Sequence, residues 1–140
     1  MNRDFDIDAG ILFVQEENEL DLHNDFNFIG LNYSIEHRTV TLEWRRLEEE
    51  WVSEAVPKSL RIVLAEVEEF RFIPRDSEMP FSEDDCISSI GYWVDEEWAQ
   101  GVVVLDGSNP PEPEWPLAVE FMSGAVVVVQ ASRANGIVRA

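Results

Sequence analysis

Ile29–Trp44 reads IGLNYSIEHRTVTLEW, and its alternation already implies a β protein. Ile29, Leu31, Tyr33 and Ile35 alternate with polar residues, and so do Val40, Leu42 and Trp44 after them. Folded about His37-Arg38, the segment sets Ile35 opposite Val40, Tyr33 opposite Leu42 and Leu31 opposite Trp44. Every apolar side chain then lies on one side of the ribbon. Thr39, Thr41, Glu43 and Arg45 take the other side, with Ser34, Asn32 and Gly30. Side chains of a strand alternate between faces, so this is the pattern of a half-buried antiparallel hairpin.

The same period recurs on either side of this segment. Phe5, Ile7, Ala9, Ile11 and Phe13 alternate with Asp4, Asp6 and Asp8, which predicts one strand over Asp4–Phe13, and Gln15–Asp25 follows as a polar loop. Arg46–Val56 changes period: Leu47, Trp51 and Ala55 lie four apart with Val52 and Val56 beside them, and Pro57 ends the run, which predicts a short helix or helical turn. Leu60, Ile62 and Leu64 mark a strand, and Phe70 and Phe72 mark another closed by Pro74, with Glu66–Glu69 between them as a turn or bulge. Ser82 is placed to cap an acidic first helical turn of Glu83, Asp84 and Asp85, and residues 82–93 as a whole fit either helix or strand. Gly101–Leu105 predicts a strand, and Asp106–Pro116 a proline-stiffened loop. Finally, Leu117, Val119 and Phe121 are expected to meet Val126, Val128 and Gln130 across a tight Ser123-Gly124 turn. The four valines 126–129 fit a strand covered on both faces. The expected class is mainly β, α+β at most: antiparallel sheets as a two-layer sandwich or partly open barrel, or a single curved sheet, with one or two short helices.

The chain has 140 residues, 45% of them hydrophobic, which suits one globular domain over 1–140. Against 29 Asp and Glu stand 10 Lys and Arg, a formal charge of −19. The imbalance is local: residues 26–75 hold nine acids and seven bases, whereas Asp76–Ser132 contains no Lys, Arg or His. Phosphate binding needs clustered cations, so nucleic acid is not an expected partner. One cysteine, Cys86, fits a reducing compartment, and no apolar run is long enough for a membrane span. The opening MNRDFDIDAG lacks the basic and apolar regions of a signal peptide, so the expected location is the cytoplasm.

Motifs with chemistry are sparse. Asp4, Asp6 and Asp8 resemble the start of a calcium loop, but its required glycine and glutamate positions hold Ala9 and Gln15, with Gly10 and Glu16 one residue late. His23 stands among Glu19, Asp21 and Asp25, a donor set of the zinc or iron type, while His37 falls in the predicted turn. Cys86 is a nucleophile only if a histidine comes near it in space, and is otherwise a small buried thiol. Ser123 sits in a hairpin turn rather than a nucleophile elbow. No cofactor, metal or catalytic residue is assigned on these grounds, and an enzyme with an unrecognised carboxylate or metal site stays as the third hypothesis.

Tryptophan placement is more informative. Trp44 belongs to the core by register, Trp51 to the inner face of the predicted helix, and Trp93 to an end of the core. Trp98 and Trp115 lie in the cation-free stretch near Asp95, Glu96, Glu97, Glu112 and Glu114. Rigid aromatics are enriched in interface hot spots, so these seven residues form the candidate partner-binding set.

The run SIEHRTVTLEW followed by SLRIVLAEVEEFRFIPRD resembles small uncharacterised bacterial β-rich proteins, and acidic immunity proteins of bacterial polymorphic toxin systems. That resemblance implies a non-enzymatic inhibitor that meets a basic, toxin-like protein by surface complementarity. The second hypothesis is a small homodimeric domain whose acidity serves solubility alone. Since the calcium spacing is out of register, the melting temperature is expected to hold steady in millimolar calcium or EDTA. Tight binding to the native state would raise it by several degrees.

Overall fold

A computed structural model describes residues 1–96, 100–103 and 111–140. Alternation carries most of them into strands: β1 (Asn2–Arg3), β2 (Asp6–Asp8), β3 (Leu12–Gln15), β4 (Asn18–Asp21), β5 (Phe26–Ser34) and β6 (Thr39–Arg46) come first. They are followed by β7 (Ser59–Ile73), a single 3₁₀ turn at Phe81–Asp84, β8 (Ile87–Asp95), β9 (Gln100–Val103), β10 (Leu117–Phe121) and β11 (Val126–Arg139). The protein is mainly β and antiparallel, as expected. One sheet runs in the order β5-β6-β7-β11-β10-β8-β9 and curls into a half-barrel, and β2-β3-β4 form a small second sheet.

The curl brings β5 back toward β8. Phe28 N–H donates to Asp85 O at 2.8 Å, and Ile90 N–H donates to Gly10 O at 2.6 Å, so the small sheet bridges the gap between the two ends. Inside, Trp44, Phe13, Phe26, Leu42 and Leu60 are fully buried. Phe28 stands edge-on to both Trp44 and Phe121, at 5.2 and 4.9 Å, tying opposite walls of the barrel together. On the outer face, Ala118, Val126 and Val128 are buried under Ile73, Trp93 and Val102. All four valines 126–129 are therefore covered, two from each side.

Several sequence expectations are corrected. Asp4–Phe13 is not one strand: Ala9 and Gly10 take positive φ (52° and 74°), and the chain reverses there from β2 into β3. Gln15–Asp25 is not all loop, because a turn at Glu16 (φ 54°) starts β4, and its Leu20 with Leu22 fills the core. The Ile29–Trp44 hairpin pairs Tyr33 with Val40 and Leu31 with Leu42, a shift of two residues from the expected register. The even shift preserves the faces from Gly30 onward and leaves Ile35 in the turn, 79% exposed. A bulge between Phe28 and Gly30, however, brings Phe28 in against Trp44 and leaves Ile29, expected inside, 42% exposed beside Glu43 and Arg45. Across β10 and β11 the shift is odd: Leu117 meets Val129 and Val119 meets Val127. Gly124 (φ 88°) donates to Phe121 O, and Phe121 N–H donates to Ala125 O, so the loop has three residues with a glycine bulge instead of two.

No helix forms over Arg46–Val56. Two isolated turns stand there instead, Val52 N–H to Glu49 O and Val56 N–H to Ser53 O, both 3.1 Å. The Arg46 guanidinium takes the carbonyls of Glu54 and Val56, holding that segment in a coil that a short helix, marginal by length alone, does not displace. Ser82 is not a cap but lies inside the 3₁₀ turn, whose N-cap is Pro80. The ambiguity over 82–93 resolves mostly to strand β8. The strand expected at Gly101–Leu105 is β9 over Gln100–Val103; residues 104–110, which include the first five of the proline-stiffened loop, lie outside the described residues.

One glycine fixes how the small sheet docks. Gly136 on β11 lies under Phe13, and a Cβ there would sit 2.4 Å from Phe13 Cζ. Asp4 Oδ1 accepts from Gly136 N–H at 2.8 Å and Gln15 Nε2 donates to its carbonyl at 3.1 Å, so neither partner is free to retreat. Gly136→Ala is expected to cost about 1–3 kcal/mol in urea unfolding, the usual range for overpacking. A double-mutant cycle with Phe13→Leu should show strong non-additivity; additive losses would mean the contact is not what carries the cost.

Candidate functional site

The predicted binding set divides. β8 leaves the sheet at Asp95 and β10 enters beside it, with Trp93 N–H donating to Pro116 O at 2.9 Å. Asp95, Glu96, Glu112 and Glu114 are all exposed near this end of the sheet. Glu97 and Trp98 lie outside the described residues. Trp115 is half-buried and packs against the core, lining a shallow cavity with Met1, Arg3 and Tyr92. The terminal amine of Met1 donates to Pro113 O at 2.8 Å, and Arg3 donates to the Tyr92 hydroxyl at 2.6 Å. Two cations therefore stand inside what the sequence shows as an acidic patch.

Trp93 is spent on structure. Its indole helps cover the second apolar face, and the Arg71 guanidinium stacks over it at 5.0 Å. Trp51 is the opposite case. With the expected helix absent, its side chain is 69% exposed. Glu48, Glu49, Glu50 and Glu54 flank it on the same irregular loop, and they line a shallow cavity of about 410 Å³ with Arg46 and the buried Val52. Sequence reasoning missed this site by assigning Trp51 inward. The available signal was composition: EEEWVSE (48–54) holds one aromatic among four acids.

The structure also brings His23 beside Cys86, with Cys86 Sγ 3.8 Å from His23 Nδ1. That nitrogen is already 2.5 Å from Ile87 O, and the thiol itself points toward His23 O and Ile87 O. Burial, then the charges of Asp85 and Glu83, push the Cys86 thiol above its ordinary range. A nucleophilic cysteine needs the thiolate, so this environment works against that role. Asp21, next to His23, accepts from the backbone N–H of His23 and Asn24 in a local turn. Among the described residues no group of three or more His, Cys, Asp or Glu is arranged to hold a metal ion. Of the calcium-like acids, Asp4 binds Asn135 and Gly136, and Asp6 lies 3.6 Å from Arg3.

No family model, no curated protein and no solved structure matches this chain. No helix among the described residues is long and apolar enough to cross a membrane. The raised Cys86 thiol has a checkable sign. The folded state holds the proton more tightly than the unfolded chain, so the stabilisation it brings is complete below the ordinary thiol pKa of about 8.5 and is lost as pH rises through the folded value. Iodoacetamide labelling at neutral pH is expected to be slower in the native protein than in urea. Cys86→Ala should remove the thiol's share of the alkaline loss of stability.

Proposed function

We propose that this chain is a non-enzymatic binding module that engages a basic protein surface, in the manner of an immunity-type inhibitor working in the cytoplasm. The observation that carries the reading is the loop 47–56, where an exposed tryptophan stands among four glutamates on a segment anchored by Arg46 and Val52. A charge of −19 steers a basic partner toward the molecule, and a rigid aromatic supplies desolvated contact once it arrives. Asp95, Glu96, Glu112 and Glu114 extend the negative field at the β8–β10 end of the sheet.

Steering and anchoring separate kinetically. A partner captured from source lysate at about 0.15 M salt, identified and purified, is the ligand for binding kinetics. Replacing Glu48, Glu49 and Glu50 with glutamine is expected to slow association and flatten its salt dependence. Trp51→Ala should leave association nearly unchanged and speed dissociation by roughly tenfold or more, the effect of losing about 1.4 kcal/mol. If both variants bind as the wild type does, or if nothing basic is retained at that salt, the reading fails.

A further inference from the structure

We propose that the open edge of β7, Glu68–Ile73, pairs antiparallel with the same edge of a second copy of this chain. The register of β6 on β7 ends at Thr39 and Ala65. One step further, Arg38 O accepts from Val67 N–H at 2.9 Å, and the Arg38 guanidinium donates back to Val67 O. From Glu68 to Ile73, the strand is paired with β11 alone among the described residues. Strand edges leave alternate N–H and C=O groups unpaired, and another strand satisfies them best. The side chains here do not bar approach: Phe72 is 59% exposed, and behind it Phe70 stacks on Tyr33 at 5.0 Å.

The charges select the occupant and the register. Phe70 and Phe72 face the concave side with Val129 and Val127, while Glu69 and Arg71 face outward with Gln130 and Val128. A two-fold axis through the edge, perpendicular to the sheet, keeps like faces together and so centres on a residue. Centred on Phe70, Glu69 meets Arg71 of the second copy, Arg71 meets its Glu69, and the two Phe70 residues face each other. Centred on either neighbour, Glu69 meets Glu69 or Arg71 meets Arg71, which is unfavourable directly across a ladder. Within one copy Arg71 Nε already reaches Glu69 Oε1 at 2.6 Å, so these side chains extend along the outer face. The contact is one strand wide and opposed by the net charge, so it belongs to the weak, micromolar class.

Sedimentation of the whole chain at about 0.15 M salt, from micromolar to near-millimolar concentration, is expected to show a reversible monomer–dimer equilibrium. Glu69→Arg and Arg71→Glu each place like charges in opposition, and each should weaken self-association at least tenfold. Mixed in equal amounts, the two variants should recover the dimer, since one copy then offers two arginines to the two glutamates of the other. A wild type that stays monomeric throughout overturns the proposal. So do single variants that self-associate unchanged, or folded variants that fail to recover on mixing.

Discussion

The pairing of β7 with β11 is the longest ladder in the molecule, and the other strands of its sheet are placed by it. The two strands run together from Ile73 and Val126 to Ser59 and Arg139. β6 lies against the first half of β7, β10 against the first half of β11, and β1 fills the slot beside β11 at Arg133 and Ala134. A regular ladder this long would twist steadily without curling back on itself, and so would enclose little. The irregularity between Gln130 and Ala131, with Glu66 at φ 56°, is where it bends. It also changes which positions face inward. On β7, Leu60, Ile62 and Leu64 are followed by Val67; on β11, Val127, Val129 and Ala131 are followed by Ala134. Without the extra residues, one half of each strand would turn its apolar set to water.

What the bend encloses decides which aromatics are left for function. The interior takes Trp44, Phe28, Phe121 and the ring of Phe13, which needs Gly136 beneath it. The outer face takes Trp93, and the mouth of the barrel takes part of Trp115. Trp51 lies beyond the reach of these surfaces because β6 ends at Arg46 and β7 begins only at Ser59. The connection must span that distance along the outside, where the Arg46 guanidinium holds its carbonyls. Its exposure follows from topology rather than from local preference.

Period-two patterning made the class legible, along with most strands and much of the core, because alternation reports directly which face is buried. It does not report register, which turn geometry sets. The first hairpin slipped by two and kept its faces from Gly30 onward, with a bulge turning Ile29 outward; the last slipped by one because Gly124 adds a bulge. The break at Glu66–Glu69 was visible as a failure of alternation, and it proved to be the bulged middle of one strand. The period at Leu47, Trp51 and Ala55 misled because it describes an isolated segment. Arg46 answers to carbonyls that no periodicity contains. The same limit hid the pairing of His23 with Cys86, which are distant in sequence and meet only through the curl.

Charge acts differently at the two proposed surfaces. Much of the cation supply is spent locally: Arg61 on Glu43 at 3.1 Å, Arg71 on Glu69 at 2.6 Å, Arg75 on Asp84 at 3.4 Å and Arg133 on Glu66 at 3.8 Å. Exposed pairs of this kind are worth about 0–1 kcal/mol each, so their main consequence is not stability. By engaging the few arginines, they leave the acidic excess uncompensated over the rest of the molecule. A diffuse negative field speeds encounter with any basic surface and distinguishes poorly among them. Selectivity has to come from contacts with geometry. At the Glu48–Glu54 loop that contact is the exposed indole of Trp51. At the β7 edge it is the alternation of Glu69 and Arg71, where one step of register converts attraction into repulsion.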